Sequence, residues 1–506
     1  MPVATANPSI VPAALVVIAT LTFMAAFAGL ATALVGTMAD NRAIYYVAVL
    51  VLLAIGGMVT FTRKEPLRFA FLALIACFPI ATAEIPPGRF GLTVFHAVMF
   101  ALMIGFVGRK MSDTSSAFTS FFPTRTLLAA CLLIIPCIVF SQYPLWSMEQ
   151  FLINNVTVYF FLLFTLEELQ TEKGFERLVF LLSIALLFMS GGLYIDHFLH
   201  FNLSLRGSNL NQSTISESGL SIYRAGGFFQ DPQRAGAYLA CMITFLLLLS
   251  VRGRFSGMKI RFLVWIAIVA SLGALATTIS RGAILSCVLV SALALFLFNK
   301  WNAVAKLLVL GIVFVVATTA ALTPAQTWLS ILPKTTLDRF LTMSVEVDSR
   351  LSIWSDTWDM FADHPVSGIG IGSFRPYLID TRPAVFNYYD IGTAAGVAYI
   401  PDQPESGYLK ILYEGGILGS LAALLVVGDA LRRTVVLMAD GRRSAHARTE
   451  AVAALAGIAT FGATFVTLYV SADQRVAALF TIFLAVILHR SLQDPGISQQ
   501  AARPTP

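Results

Sequence analysis

Arginines placed beside glycines at the ends of long apolar runs are the residues of this sequence best suited to chemistry. The first lies in Thr277-Thr278-Ile279-Ser280-Arg281-Gly282, a tight hairpin between two such runs. A guanidinium there is costly unless it snorkels to an interface or holds an anion. Its planar fork matches phosphate oxygens in pairs and keeps its charge, so a lipid diphosphate is the sharper of the two readings. The second group is Tyr223-Arg224-Ala225-Gly226-Gly227-Phe228-Phe229-Gln230-Asp231-Pro232-Gln233-Arg234. Its Gly-Gly and Asp-Pro turns fold the backbone sharply between Arg224 and Arg234. The group is either a re-entrant loop with its charges in water or a second part of an anion site.

A third group runs from Arg350-Leu351-Ser352-Ile353-Trp354 to His364-Pro365-Val366-Ser367-Gly368-Ile369-Gly370-Ile371-Gly372. No βαβ unit surrounds the alternating glycines, so they are not a dinucleotide fingerprint. Gly370 and Gly372 can still bring backbone N–H groups close to a phosphate or sugar. The fourth group, Glu405-Ser406-Gly407-Tyr408-Leu409-Lys410 through Glu414, enters another apolar run. Lys410 and Glu414 are four apart and face each other on one helix side, as a structural ion pair or as part of a site. His197 and His200, which follow Asp196, could share a metal but lack a third convincing ligand, and the five cysteines form no C-x-x-C pair. Neither metal nor cofactor is expected.

The elements that must position these residues are membrane helices. Charged residues make up only 12% of the 506 and apolar ones 57%, with mean hydropathy +0.78. A soluble domain carries about 25% charged residues, so a water-soluble enzyme is excluded. The apolar blocks have the length of bilayer-spanning helices, and the alternation of a membrane barrel is absent. The reading is an all-α polytopic membrane protein. Its expected spans, about fourteen, are near 12–36, 43–61, 67–83, 90–108, 126–142, 151–167, 177–195, 234–250, 262–279, 282–298, 304–322, 407–428, 451–470 and 474–490. The first is taken as a retained span rather than a signal peptide.

With the N-terminus inside, the inner loops and tail hold 21 of the 34 Lys and Arg, which places both termini in the cytoplasm. The net charge of +6 therefore belongs to membrane-flanking loops rather than to a nucleic-acid surface. The chain divides into N-terminal helices (1–195), an outer loop (196–233), central helices (234–322), a large outer loop (323–406), C-terminal helices (407–490) and a tail (491–506). In the large loop, Leu351, Trp354, Trp358 and Phe361 predict an amphipathic helix that starts at Asp348 or Ser349 and stops before Pro365.

Taken in order, the four groups resemble the O-antigen ligase and polymerase superfamily of membrane glycosyltransferases (Wzy/WaaL-like) over about residues 220–425. The matching pieces are Gly227-Phe228-Phe229-Gln230-Asp231-Pro232-Gln233, Ser280-Arg281-Gly282, Arg350…Trp354…His364-Pro365…Gly368…Gly370-Ile371-Gly372…Phe374, and Tyr408-Leu409…Glu414…Gly416…Gly419. The resemblance implies metal-independent glycosyl transfer at the periplasmic face of the bacterial inner membrane, from an undecaprenyl-diphosphate-linked oligosaccharide donor to an acceptor glycan. It implies roles for Arg281 and Arg350 at the reacting diphosphate, and binding roles for Arg224, Arg234, Gln233, His364 and Tyr408. Membrane lipids, a chain-length regulator and polysaccharide export proteins are the implied partners. Ligases of this superfamily carry a His-Asn pair before the Tyr-Leu, where this sequence has Glu405-Ser406. That departure favours a polymerase of repeat units and makes Glu405 the expected base. The alternatives are a ligase and a lipid-linked oligosaccharide flippase. A flippase usually places its charges near the midplane of broken repeats.

Overall fold

The computed structural model describes residues 65–82, 93–112, 121–201, 203, 215–217, 220–222, 224–229, 231–255, 257–297, 354–355, 357–381, 406–469, 471 and 473–493. Arg350 and Glu405 lie outside them, as do the expected spans 12–36, 43–61 and 304–322. The other eleven spans fall on helices. These are α1 (Pro66–Ala76), α2 (Phe78–Ala81), α3 (Val94–Ser112), α4 (Arg125–Val139), α5 (Pro144–Gln150), α6 (Thr157–Leu169), α7 (Gly174–Leu199), α8 (Pro232–Val251), α9 (Met258–Thr277), α10 (Arg281–Leu297), α11 (Phe374–Thr381), α12 (Gly407–Ala439), α13 (Ala445–Phe465) and α14 (Gln474–Leu492). A π-helical stretch, Phe151–Val156, joins α5 to α6, so 144–169 forms one rod. Among the described residues, six helical rods are long and apolar enough to cross a membrane.

One expectation is corrected. Span 67–83 is broken at Cys77, because Pro79 has no N–H to give and its ring clashes with the preceding turn. The outer loop 196–233 carries an antiparallel hairpin of Ile215–Glu217 (β1) and Leu220–Ile222 (β2).

α8 is the central helix. It is buried along almost its whole length, with α9, α10, α13 and α14 around it. Its start follows from sequence: Asp231 accepts the Gln233 N–H at 2.8 Å and Pro232 stands at the first helical position. The Asp-Pro turn of the sequence is thus a helix cap.

Contacts sort the helix ends into two groups. At one end Glu168 holds Arg68 (2.6 Å) and Arg177 (3.1 Å), and Glu450, fully buried, holds Arg254 and Arg490. Arg433 of α12 reaches Ser491 in the last turn of α14 at the same end. These are residues of the loops expected inside. The opposite end gathers Asp196, the 224–229 loop, the 277–281 hairpin and the start of α14, and it is where the candidate site lies.

Candidate active site

The Gly-rich loop and the break in α12 form one structure. At Gly416 the helix takes φ 59° and ψ −157°, which interrupts its hydrogen-bond ladder. Backbone groups left open there need partners, since no water reaches them inside a membrane protein. The loop before α11 supplies them. Ile369 and Gly370 donate to the carbonyls of Tyr413 (2.9 Å) and Glu414 (3.0 Å). Ile417 and Leu418 donate to the carbonyls of Pro365 (2.8 Å) and Val366 (3.1 Å). Cys137 of α4 reaches the Gly415 carbonyl at 3.2 Å.

This contact explains the glycines. Gly370 has φ 116°, and a Cβ there would meet Ser141 Oγ at 1.8 Å and Ser147 Oγ at 2.4 Å. The Gly370 N–H is therefore committed to Glu414, not offered to a phosphate, which corrects that expectation. Gly372 (φ 71°) passes over Gln150 and its carbonyl accepts Trp146 Nε1 at 2.9 Å. Gly370→Ala is expected to destabilise the purified protein by about 2–4 kcal/mol through backbone strain and overpacking. Thermal unfolding in detergent checks this, and an unchanged midpoint would refute the close-approach account.

The amphipathic helix preceding this loop is present and stops before Pro365 as expected, but its covered positions differ from the aromatic stripe. Residues 357–363 are helical, but the buried positions are Thr357 and Met360, while Trp358 is exposed and Trp354 is half-buried. Met360 packs with Ile369, Phe374, Tyr377 and Tyr413, with Phe361 at the edge of that cluster. The covering surface is thus made by the Gly-rich loop, α11 and Tyr413 of α12, and Trp358 packs tilted against Phe361 at its edge. His364 hydrogen-bonds Gln142 at 2.6 Å. Tyr143 donates to Asp380, and burial together with that carboxylate pushes the phenol well above its ordinary range.

The arginine segments converge next to this loop system. Arg224 Nε donates to the Thr278 carbonyl at 3.2 Å, and Ala225 N–H to the Thr277 carbonyl at 3.1 Å. The Arg224 segment therefore lies along the hairpin that carries Arg281, which is half-buried at the start of α10. The first turn of α8, with Gln233 and Arg234, meets the same hairpin where Gly236 abuts Ser280 and Ala283. Arg234 lies 3.9 Å from Asp231 and also within electrostatic reach of Asp473.

On α12, Lys410 Nζ and Glu414 Oε1 form a buried pair at 2.7 Å, with the Tyr413 hydroxyl donating to the same oxygen at 3.2 Å. Lys410 also stands 4.9 Å from the Tyr469 ring, on the stretch that leads to Asp473. Tyr408 donates its hydroxyl to the Gly462 carbonyl at 2.8 Å, which ties α12 to α13. Helix α12 begins at Ser406, a buried N-cap in extended conformation, so Glu405 stands one residue before the cap.

Two groups were missed by reading along the chain. Asp196, fully buried, accepts both the Gly226 (2.8 Å) and Gly227 (2.7 Å) N–H groups, and so anchors the Gly-Gly turn instead of joining a histidine pair. Among the described residues no cluster fits a metal ion. Arg475, 1% exposed, pairs with Asp473 through Nε (2.9 Å) and Nη2 (2.7 Å). Its Nη1 reaches the Pro79 and Phe228 carbonyls, both at 3.2 Å, and its guanidinium lies 3.7 Å from the Phe229 ring centroid. Burial works against the charged form of Asp473, but Arg475 and Arg234 outweigh it and hold the carboxyl below its ordinary range. The signal was present: an arginine at the start of an apolar run, two residues after an acid.

Residues 266–424 match the family described as O-Antigen ligase. The match contains Arg281, the Gly-rich loop and the start of α12, and begins after Arg224, Gln233 and Arg234, later than the resemblance read from the sequence. It bears out the resemblance to the O-antigen ligase and polymerase superfamily and points to a glycan-handling, multi-pass membrane enzyme. No curated protein matches the chain.

Proposed function

We propose that this protein polymerises undecaprenyl-diphosphate-linked oligosaccharide repeat units into exopolysaccharide, capsule or O-antigen at the periplasmic face of the inner membrane. One observation carries the reading: the Arg224 segment, the Arg281 hairpin and the first turn of α8 meet at the bundle end opposite the basic loops. Fixed guanidinium groups there suit a lipid diphosphate in a poorly hydrated site. Arg281 and Arg350 stabilise charge on the diphosphate as the bond from the anomeric carbon to its oxygen breaks. The departing diphosphate keeps the electron pair. An acceptor hydroxyl attacks the same carbon from the opposite face, and its proton passes to Glu405. Arg224, Arg234, Gln233, His364 and Tyr408 orient donor and acceptor.

Transfer to a non-polymer acceptor is the second reading, favoured by the family description itself. Purified protein reconstituted with an undecaprenyl-diphosphate oligosaccharide distinguishes them. A ladder of longer lipid-linked glycans supports polymerisation. Transfer only to a lipid A core means a ligase, and movement without covalent change means a transporter.

Arg281→Lys keeps the charge but loses the planar fork, and is expected to lower turnover by about 10–10²-fold at normal protein levels. The same change at Arg261, exposed on α9, should be silent. Full activity of Arg281→Lys in the ladder assay removes the diphosphate role.

A further inference from the structure

We propose that a cleft at the far end of α12 binds the phosphate of an anionic phospholipid headgroup. A cavity of about 130 Å³ opens there between α12, the turn at Asp440 and the end of α14, lined by Arg432, Arg433, Arg443, Val436 and Ser491 among others. The three guanidiniums share two carboxylates. Asp429 takes both Arg432 (2.7 Å) and Arg433 (2.6 Å), and Asp440 takes Arg443 at 3.3 Å. One positive charge is left over at the opening. Arg432 is 67% exposed and uses only Nη2 towards Asp429 among the described residues. Arg433 and Arg443 are held in place by Ser491 Oγ and by carbonyls at the end of α14.

A fixed cluster with one exposed guanidinium suits phosphate oxygens, which arginine grips in pairs. Free phosphate offers the same oxygens, but the surroundings favour a lipid. Leu424, Val427, Leu431 and Val435, spaced by three or four residues, form an exposed apolar strip on α12 that runs up to the cleft, and Val436 at its rim is exposed as well. Such a strip lies along acyl chains when the headgroup sits at the cleft. The site is remote from the glycan chemistry. Arg432 is 25 residues beyond Gly407, about 35 Å along a helix. It also stands at the end that carries the basic loops, where anionic lipid is attracted.

The full chain in phosphatidylcholine nanodiscs, with a trace of photoactivatable phosphatidylglycerol, tests the proposal by mapping the labelled peptides. Label is expected on the α12 segment around 424–440, displaced by unlabelled phosphatidylglycerol and not by phosphatidylcholine or excess inorganic phosphate. Arg432→Gln, at an exposed position, should weaken that displacement about fivefold. Val436→Glu, which adds a like charge at the rim, should weaken it at least as much. Equal labelling by a phosphatidylcholine probe, or affinity unchanged in both variants, overturns the site. Displacement by inorganic phosphate overturns the lipid as its ligand.

Discussion

Glu405→Gln is expected to slow glycan transfer by roughly 10²–10⁴-fold while leaving donor binding nearly intact. Glutamine keeps the shape and the hydrogen-bonding atoms but cannot accept the proton of an attacking hydroxyl. The competing account, in which the acid only caps the following helix, predicts a loss of at most about 1–2 kcal/mol of stability and unchanged turnover. Ser406 stands at the N-cap position of α12 without a side-chain capping hydrogen bond. Glu405 itself lies outside the described residues. Single-turnover elongation with the reconstituted protein gives the readout. A Glu405→Gln protein that elongates at the unaltered rate would rule out the base, and Asp402 or Glu414 would be tested next.

Arg475→Met is expected to cost about 3–5 kcal/mol of stability, because it leaves the buried Asp473 carboxylate without its partner. It also removes the donor to the Phe228 and Pro79 carbonyls and the cation over Phe229. The double variant Asp473→Asn/Arg475→Met removes the stranded charge and should recover most of that loss. The pair is acid-sensitive in a defined direction. The folded Asp473 carboxyl is held below its ordinary value, so its contribution is complete above pH about 4. That contribution fades as pH falls through the lower folded-state value. Thermal unfolding of the single and double variants in detergent at neutral pH checks the first claim. A single variant as stable as the unaltered protein would show that the pair does not support the fold.

The reach of sequence reasoning differs between elements for physical reasons. The span 234–250 was legible because its continuous apolar run is a local signal that tertiary packing did not override, whereas Asp231-Pro232, read as a turn, is the cap of that helix. Span 67–83 was misjudged because hydropathy averages over the proline that breaks it at Cys77. The 354–361 stripe was read from its large aromatic residues. The surface that covers this helix is made by Ile369, Phe374 and Tyr377 together with Tyr413 of α12, and it selects Met360 rather than Trp358.

From sequence alone followed the membrane class, the succession of apolar helices, the split of basic residues between loops, and the four groups that resemble one superfamily. Each of these depends on composition or short spacing, which the bilayer enforces locally. Only the tertiary structure decided what the glycines serve. Gly368, Gly370 and Gly372 let one loop lie against the broken backbone of α12 at Gly416, a pairing between segments far apart in the chain. It alone also showed that Asp196 and Arg475 hold the Gly-Gly and Phe-Phe turn from two other helices. Such partners satisfy buried polar groups across the bundle, and periodicity along one strand of sequence carries no record of what lies opposite.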